Sequence, residues 1–464
     1  MFDNDTMKST NKSTNESLFR ILQINTLDLQ GGAAKIAFNL FQAYQGLGHK
    51  SRLLVGYKKS CNPAIIQIPR NDEYNKWNNS WSKASVLRDE YPNNAISAIY
   101  KARIMRILQD PNILINHLMG WENFDFQGTS HILELIEYKP DIIHCHNLHG
   151  DYFDLREIPN LSKKVPVLIT LHDAWMLSGH CAHSFECERW KTGCGKCPDL
   201  TINPAIRRDA TAYNWRRKRG IYAQSRVNIA TPSLWLMEKV KDSMLAPSIV
   251  ESKVIPNGVD QEIFHPYDKL AARRDLGLPQ KVKIVLFAAG GIRKSKFKDY
   301  ETSRKAVSIV SRKLDKEAIL CIALGENSAP ERIGTSDVLF VPYLSDPSIV
   351  SRYFQAADVY IHASKADTFP NSVLEALSCG TPTVATSVGG IPEQIENSKT
   401  GFLTPIGDPI MMGQRIVELL SDEDLRGRMS SECAKVAHDR FNLDYQVEAY
   451  LNWYKQILGN FRNQ

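Results

Sequence analysis

The stretch from Ser364 to Ile395, SKADTFPNSVLEALSCGTPTVATSVGGIPEQI, limits what this chain can fold into more than any other part of it. Its middle is written as a helix: Asn371 or Ser372 can cap, Val373, Leu374 and Leu377 form an apolar face, and Gly380 stands where a helix stops. Val359 to His362 before it and Thr383 to Thr386 after it read as buried strands, and a second glycine turn follows at Gly389 and Gly390. Strand, loop, helix and strand in that order form the βαβ unit of a nucleotide-binding α/β domain. Because the helix opens at the carboxyl end of a parallel strand, the free N–H groups of Asn371, Ser372 and Val373 face the ligand crevice and suit a diphosphate. Asp367 lies in the loop and Glu375 within the helix. Carboxylates so placed bind neutral hydroxyls, since each accepts two or more hydrogen bonds and repels phosphate. A nucleotide sugar offers such hydroxyls on both its ribose and its sugar.

At 464 residues, 43% of them hydrophobic, the chain can bury two such domains. The formal charge of +6 is a mild excess that favours phosphates or an anionic membrane surface and is too small to argue nucleic acid. Residues 1–18 are rich in Asn, Ser, Thr and Lys and read as a disordered polar tail rather than a signal peptide. No run of 18 apolar residues follows, so a soluble cytoplasmic protein is expected. Nine cysteines at scattered positions fit a reducing compartment.

Phe19 to Asn25 forms a strand, and Gly31 and Gly32 then turn into a helical pattern that Gly48 ends. The two glycines allow close backbone approach to a ligand, although the turn is not the G-x-G-x-x-G fingerprint. Between Ala95 and Leu118, five apolar residues at Ile96, Ile99, Ile104, Ile107 and Leu108 interleave with Lys101, Arg103 and Arg106. Such a basic amphipathic helix fits an inner-leaflet membrane surface as well as a packed domain face. Asp141 to His146 and Val165 to Thr170 are the next strands, and the second runs into LHDAW, which puts His172 at a strand's carboxyl end. His144, His146 and His149 receive no role and no metal. Cys181, Cys187, Cys194 and Cys197 close on C-x-x-C followed by Pro, the chelate spacing of one structural zinc; buried free thiols or a redox pair are the alternatives. The helix from Ile206 to Gln224 presents Arg207, Arg208, Arg216, Arg217, Lys218 and Arg219 as a solvated basic face. Asn228 to Thr231 and Lys253 to Ile255 complete one sheet, while Lys283 to Gly290, Ala318 to Leu324 and Val338 to Val341 begin another. Helices over Asp408 to Phe441 and Asp444 to Ile457 end the chain.

A loop acid, seven residues and then the Glu of LEALSCGTPTVATSVGGIPE resembles the signature of the family 4 retaining glycosyltransferases, the glycosyl transferases group 1, of the bacterial polysaccharide-biosynthesis type. GGAAKIAFNL, LHDAW and PNGVDQEIFHP resemble that family's first phosphate-side loop, strand-end histidine and interdomain linker. The resemblance implies the α/β fold called GT-B, two Rossmann-like domains facing across a cleft. Residues 19–255 would form the acceptor side, 256–266 the linker, 267–443 the nucleotide-sugar side, and 444–464 a helix crossing back. It implies Glu375 on the ribose, Asp367 on the sugar side, Gly31 and Gly32 on the diphosphate, and His172 at the reacting end. An Arg and a Lys of GIRKSKFKDY are expected on the phosphates, which points to Arg293, Lys296 and Lys298, with Lys294 also in reach. Two departures stand out: Asp367 replaces the family's usual Glu, and its Lys-Gly pair is missing. The implied reaction moves a hexosyl group from a UDP- or GDP-sugar to a hydroxyl of a glycan or polyprenyl-linked saccharide, with retention and without a catalytic metal. A GT-B phosphorylase, a sugar epimerase or a catalytically silent scaffold is the alternative.

Overall fold

The computed structural model describes residues 18–69 and 111–462. Two seven-stranded sheets carry the fold. The first is built from β1 (Arg20–Leu27), β2 (Lys50–Tyr57), β3 (Ile65–Gln67), β4 (Ile142–Cys145), β5 (Val167–Thr170), β6 (Val227–Thr231) and β7 (Ile249–Val254). Its order is β3-β2-β1-β4-β5-β6-β7 and every pairing is parallel. The second uses β8 (Lys283–Ala288), β9 (Ile319–Leu324), β10 (Glu331–Ile333), β11 (Ser336–Val341), β12 (Val359–His362), β13 (Thr383–Thr386) and β14 (Gly401–Thr404). These run β10-β11-β9-β8-β12-β13-β14, parallel except for the short edge strand β10. Central strands such as β4, β5, β12 and β13 are buried along their whole length, as parallel strands covered by helices on both faces must be.

Strand order reverses between β1 and β4 in one sheet and between β8 and β12 in the other. Ligands of open α/β sheets bind outside the carboxyl ends of the strands at such reversals. The loops after those four strands therefore define where a site can be.

The chain crosses between domains twice at one place. Val259 N–H donates to Phe441 O (2.8 Å) and Leu443 N–H to Val259 O (3.0 Å), so the outgoing linker and the returning segment lie side by side. Gly258 is required there, because a Cβ would come within 2.6 Å of Leu443 Cα. The last helix, Leu443–Arg462, then packs on the first domain, where Val447, Tyr450, Trp453, Tyr454 and Ile457 meet Phe19, Ile21, Ile36, Leu40 and Tyr44. Each large apolar side chain so buried contributes about 1.5 to 3 kcal/mol. His144 belongs to this seam: Nδ1 is 2.7 Å from Tyr454 Oη and Nε2 is 2.7 Å from Thr170 Oγ1. Its role is to dock the last helix.

Two sequence expectations change. The helix Thr211–Tyr222 is not a purely solvated basic face: Lys218 is fully buried, with Nζ 3.0 Å from Glu122 Oε1 and 3.7 Å from the centre of the Trp175 ring. Arg217 likewise covers the Phe124 ring and donates to Glu122 O. Of the amphipathic stretch, 95–110 lie outside the described residues, as do 1–17 of the polar tail; 111–119 form a helix in which Ile115 and Leu118 are exposed. Among the described residues no helix is long and apolar enough to cross a membrane.

Candidate functional site

After β1 the chain turns through Gln30 and Gly31, both at positive φ, and enters the helix Gly32–Gly46. Asp28 holds this turn by accepting from the N–H groups of Leu29 (2.9 Å), Lys59 (2.9 Å) and Ser60 (2.8 Å). Gly31 sits at φ +99° with open space where a Cβ would be, so its glycine is required by conformation and leaves room for a ligand. Facing it across the cleft is the start of the helix Asn371–Ser378 in the second domain. Asn371 Nδ2 donates to Gly32 O (3.2 Å) and its Oδ1 accepts from Asn257 Nδ2 (3.0 Å). Two helix N-termini thus converge on one crevice, and their dipoles make it attractive to an anion.

The two predicted acids stand on either side of that crevice. Glu375 is only 7% exposed and accepts from Lys35 Nζ (2.6 Å), a residue one turn into the opposite helix. Asp367 accepts from Lys298 Nζ (2.5 Å), and His362 Nε2 lies 3.2 Å from both. Burial pushes the Asp367 carboxyl up, but Lys298 and His362 outweigh it and hold it well below the usual carboxylate range. His362 is held down to about 4 by burial and by Lys298. Its Nδ1 is 3.0 Å from Tyr360 Oη, which donates to Ser372 Oγ (2.8 Å), tying the acid loop to the helix start. Gly389 supports the same loop from behind; its φ is +58° and a Cβ would fall 1.7 Å from Asp367 O.

Of the basic loop after β8, Lys298 is the side chain that reaches Asp367. Arg293 is committed to Glu331 (2.5 Å) and Ser328 (3.1 Å) and lies over the Phe340 ring. Lys296 crosses to the first domain, where it meets Asp199 (3.0 Å) and Thr201. Lys294 is exposed.

His172, placed by β5, is half-buried and stacks on His146, with His172 Nε2 3.0 Å from His146 Nδ1. The Gln23 amide on β1 is satisfied when its nitrogen faces Ala37 O (3.2 Å) and His146 Nε2 (3.1 Å) and its oxygen accepts from Phe41 N–H (3.1 Å). His146 then carries its proton on Nδ1 and donates it to His172 Nε2, which leaves His172 protonated on Nδ1. Burial holds His172 down to about 4 despite the neighbouring Asp173. Asp173 itself accepts from Trp175 N–H and pairs with His149 Nε2 at 2.9 Å. Gln23, Lys35 and His362 were not singled out from the sequence. Only Lys35 carried a signal, a cation in the first turn after the glycines.

Cys181, Cys187, Cys194 and Cys197 are half-buried in an insertion after β5. Burial pushes the Cys194 thiol up to about 12 and raises Cys181 and Cys197. His180 Nε2 is 3.4 Å from Cys197 Sγ. Among the described residues no three His, Cys, Asp or Glu side chains are gathered to hold a metal ion. The insertion is anchored by packing, with Trp190 and Trp215 buried and Trp215 Nε1 donating to Trp190 O (2.7 Å).

Comparison with known proteins places this geometry. A family model described as Glycosyltransferase Family 4 matches residues 30–263, half of the chain, and one described as Glycosyl transferases group 1 matches residues 268–436. The chain is 23% identical over 94% of its length to all of the Escherichia coli K12 protein named "Putative colanic acid biosynthesis glycosyl transferase WcaC". It is 32% identical, over 45% of its length and 49% of the relative's, to the D-inositol 3-phosphate glycosyltransferase of Acidothermus cellulolyticus. In fold it is similar to a glycosyltransferase from Rickettsia africae (TM-score 0.60, 16% identity, 96% and 99% of the two chains covered). The same holds for Anabaena HepE solved with UDP (0.57, 14% identity, 94% and 100% covered). With the glycine turn and histidines inside one matched region and the paired acids inside the other, the chain belongs to glycosyltransferase family 4, the glycosyl transferases group 1, and is a glycosyltransferase of GT-B fold.

Proposed function

We propose that the protein transfers a hexosyl group, with retention, from a UDP- or GDP-sugar to a hydroxyl of a glycan or lipid-linked saccharide in the building of a cell-surface polysaccharide. The observation that carries this reading is the meeting of Lys298–Asp367 and Lys35–Glu375 where two helix N-termini face each other. Such a crevice offers dipoles and cations to a diphosphate and carboxylates to the hydroxyls on either side of it. Glu375 would release Lys35 to the phosphates and accept from the ribose, while Asp367 would accept from the sugar. The leaving diphosphate would be stabilised by Lys298 and the first turn at Asn371, Ser372 and Val373, and positioning rather than a protein nucleophile would do the rest. Likeness to WcaC along the whole of that relative supports the polysaccharide setting, and HepE, solved with UDP and with UDP-glucose, supports the donor class.

The test is a panel of UDP- and GDP-sugars, incubated with the purified chain and with oligosaccharide or polyprenyl-linked acceptors. Release of nucleotide diphosphate and an NMR coupling constant showing the donor's anomeric configuration in the product are expected. A product of inverted configuration would overturn retention; the absence of release from every donor would overturn the transfer itself.

A further inference from the structure

The insertion after β5 holds one buried side chain, at the seam between the two domains, that the reading above does not use. His183 is 6% exposed, and among the described residues its Nε2 has no hydrogen-bond partner. Its other nitrogen settles the proton: Nδ1 accepts from Phe185 N–H at 2.9 Å, so it bears no hydrogen of its own. The ring is therefore the neutral tautomer with its hydrogen on Nε2, a buried donor with nothing to donate to. Native proteins rarely leave such a group uncompensated, and an orphaned one asks for an absent partner.

Its surroundings indicate what that partner is. The ring lies flat on Trp235, with centroids 5.3 Å apart and planes at 14°. Trp235 N–H in turn donates to Glu393 of the second domain (2.9 Å), so this stack stands on the domain seam. Phe185 meets His183 edge-on and stacks on Phe297 across the cleft (5.9 Å, 5°), one residue before Lys298. Phe185 adopts φ +48°, a conformation costly for a bulky residue. The charged groups acting on the His183 ring are Lys239 beside it and the carboxylates of Asp367 and Asp173, one from each domain. With Lys298 already paired to Asp367, the acids present acceptors, and a sugar hydroxyl suits them, since it can accept from His183 and donate its own hydrogen to a carboxylate.

We infer that His183 is a further substrate-contacting residue: its Nε2–H donates to a hydroxyl oxygen of the transferred sugar between the Asp173 and Asp367 loops. The inference rests on the glycosyl-transfer reading and extends it to a specificity contact supplied by the insertion.

Two substitutions test it. H183N keeps an acceptor for Phe185 N–H two residues on, as asparagine does in turns, and loses the far donor. H183Q returns an amide N–H near the position of Nε2. With the nucleotide sugar that the parent turns over best, H183N is expected to lower kcat/KM roughly ten-fold, with H183Q recovering part of the loss. The Kd of the matching nucleotide diphosphate, read by calorimetry, should stay within about two-fold of the parent, because no contact to it is removed. Parental kcat/KM in H183N would overturn the inference while leaving the transfer reading intact. Equal losses in H183N and H183Q, or a loss of nucleotide affinity as large as the loss of kcat/KM, would also overturn it, by making the residue structural. A parent that turns over no nucleotide sugar overturns the transfer reading and this inference together.

Discussion

The first domain brings Gly31, His146 and His172 to the carboxyl ends of β1, β4 and β5, and the second brings Lys298, His362 and Asp367 to those of β8 and β12. The two faces share one topology, yet they differ in charge. Burial pulls His146 and His172 down and leaves them neutral, and Gln23 fixes which nitrogen carries each proton. Across the cleft, Lys298 and His362 keep Asp367 ionised in spite of its burial. A diphosphate gains from fixed cations and helix N-termini, whereas sugar and acceptor hydroxyls need directed, uncharged donors and acceptors. On the proposed reading, that difference has the second domain hold most of the nucleotide and the first meet the groups that react. Lys35 is the exception, a first-domain cation lodged against a second-domain acid.

The largest test of that division is Glu375→Ala. It removes the proposed ribose acceptor and strands Lys35 opposite an empty position, so kcat/KM should fall by roughly 2 to 4 kcal/mol, tens to hundreds fold. Calorimetry should show weaker nucleotide diphosphate binding; parental affinity in an equally folded variant would remove Glu375 from the nucleotide side. The pH dependence of stability probes both faces together. His172 and His362 titrate near 4 in the folded chain, below the ordinary 6.5. Between those values the unfolded chain binds the protons that the native one refuses, so stability falls as pH drops from about 6.5 to about 4, then stops falling on their account. Each ring should contribute on the order of 1 to 3 kcal/mol to a loss read by urea melts across that range. Flat stability down to pH 4 would mean that neither ring is held neutral.

His172→Ala should separate the faces more sharply. Turnover is expected to fall roughly ten-fold or more while nucleotide diphosphate affinity stays near parental, since the contact lies with the reacting groups. An equal loss of affinity would break the division. Asp367→Glu asks whether the shorter acid is fitted to its place. One more methylene must fit beside His362 in a buried loop that Gly389 already packs against, so a several-fold loss of kcat/KM is expected, on the order of 1 kcal/mol. Raised activity would show the site to be loose at that point.

Much of this was legible in the chain because local grammar and tertiary need agree there. Val359–His362, Asn371–Ser378 and Thr383–Thr386 form where strand, cap and glycine signals place them, since a βαβ unit is specified by short-range pattern. Edge strands β3, β10 and β14 were not read, being 3 or 4 residues long with little apolar run to announce them. Pairing across the cleft was beyond reach for a different reason. Lys35 and Glu375 are 340 positions apart, and nothing local to either says that they meet. Lys218 misled because its five basic companions in the segment suggested a wet face, whereas burial of one lysine depends on Glu122, Trp175 and Ser178 arriving from elsewhere. Which lysine of the loop after β8 enters the site was equally a tertiary matter, decided by the pairing of Lys298 with Ser364.

The smallest expected effect belongs to Lys296, and it is the one that tests whether the charged face ends at Lys298. Although it lies two residues before Lys298, Lys296 reaches away to Asp199 and Thr201 in the insertion, with the pair 47% and 40% exposed. An ion pair in that much water contributes at most about 1 kcal/mol and is screened by salt. Lys296→Ala should therefore leave kcat/KM within about two-fold of the parent and nucleotide affinity unchanged, with any difference vanishing in high salt. Lys298→Ala, measured alongside, should lose far more, because it frees a half-buried carboxylate from its main cation. A loss in Lys296→Ala that matches Lys298→Ala and survives high salt would place Lys296 on the diphosphate when the donor is bound. The contact with Asp199 would then be a resting latch, and the basic face would extend one turn of the loop farther than the structure draws it.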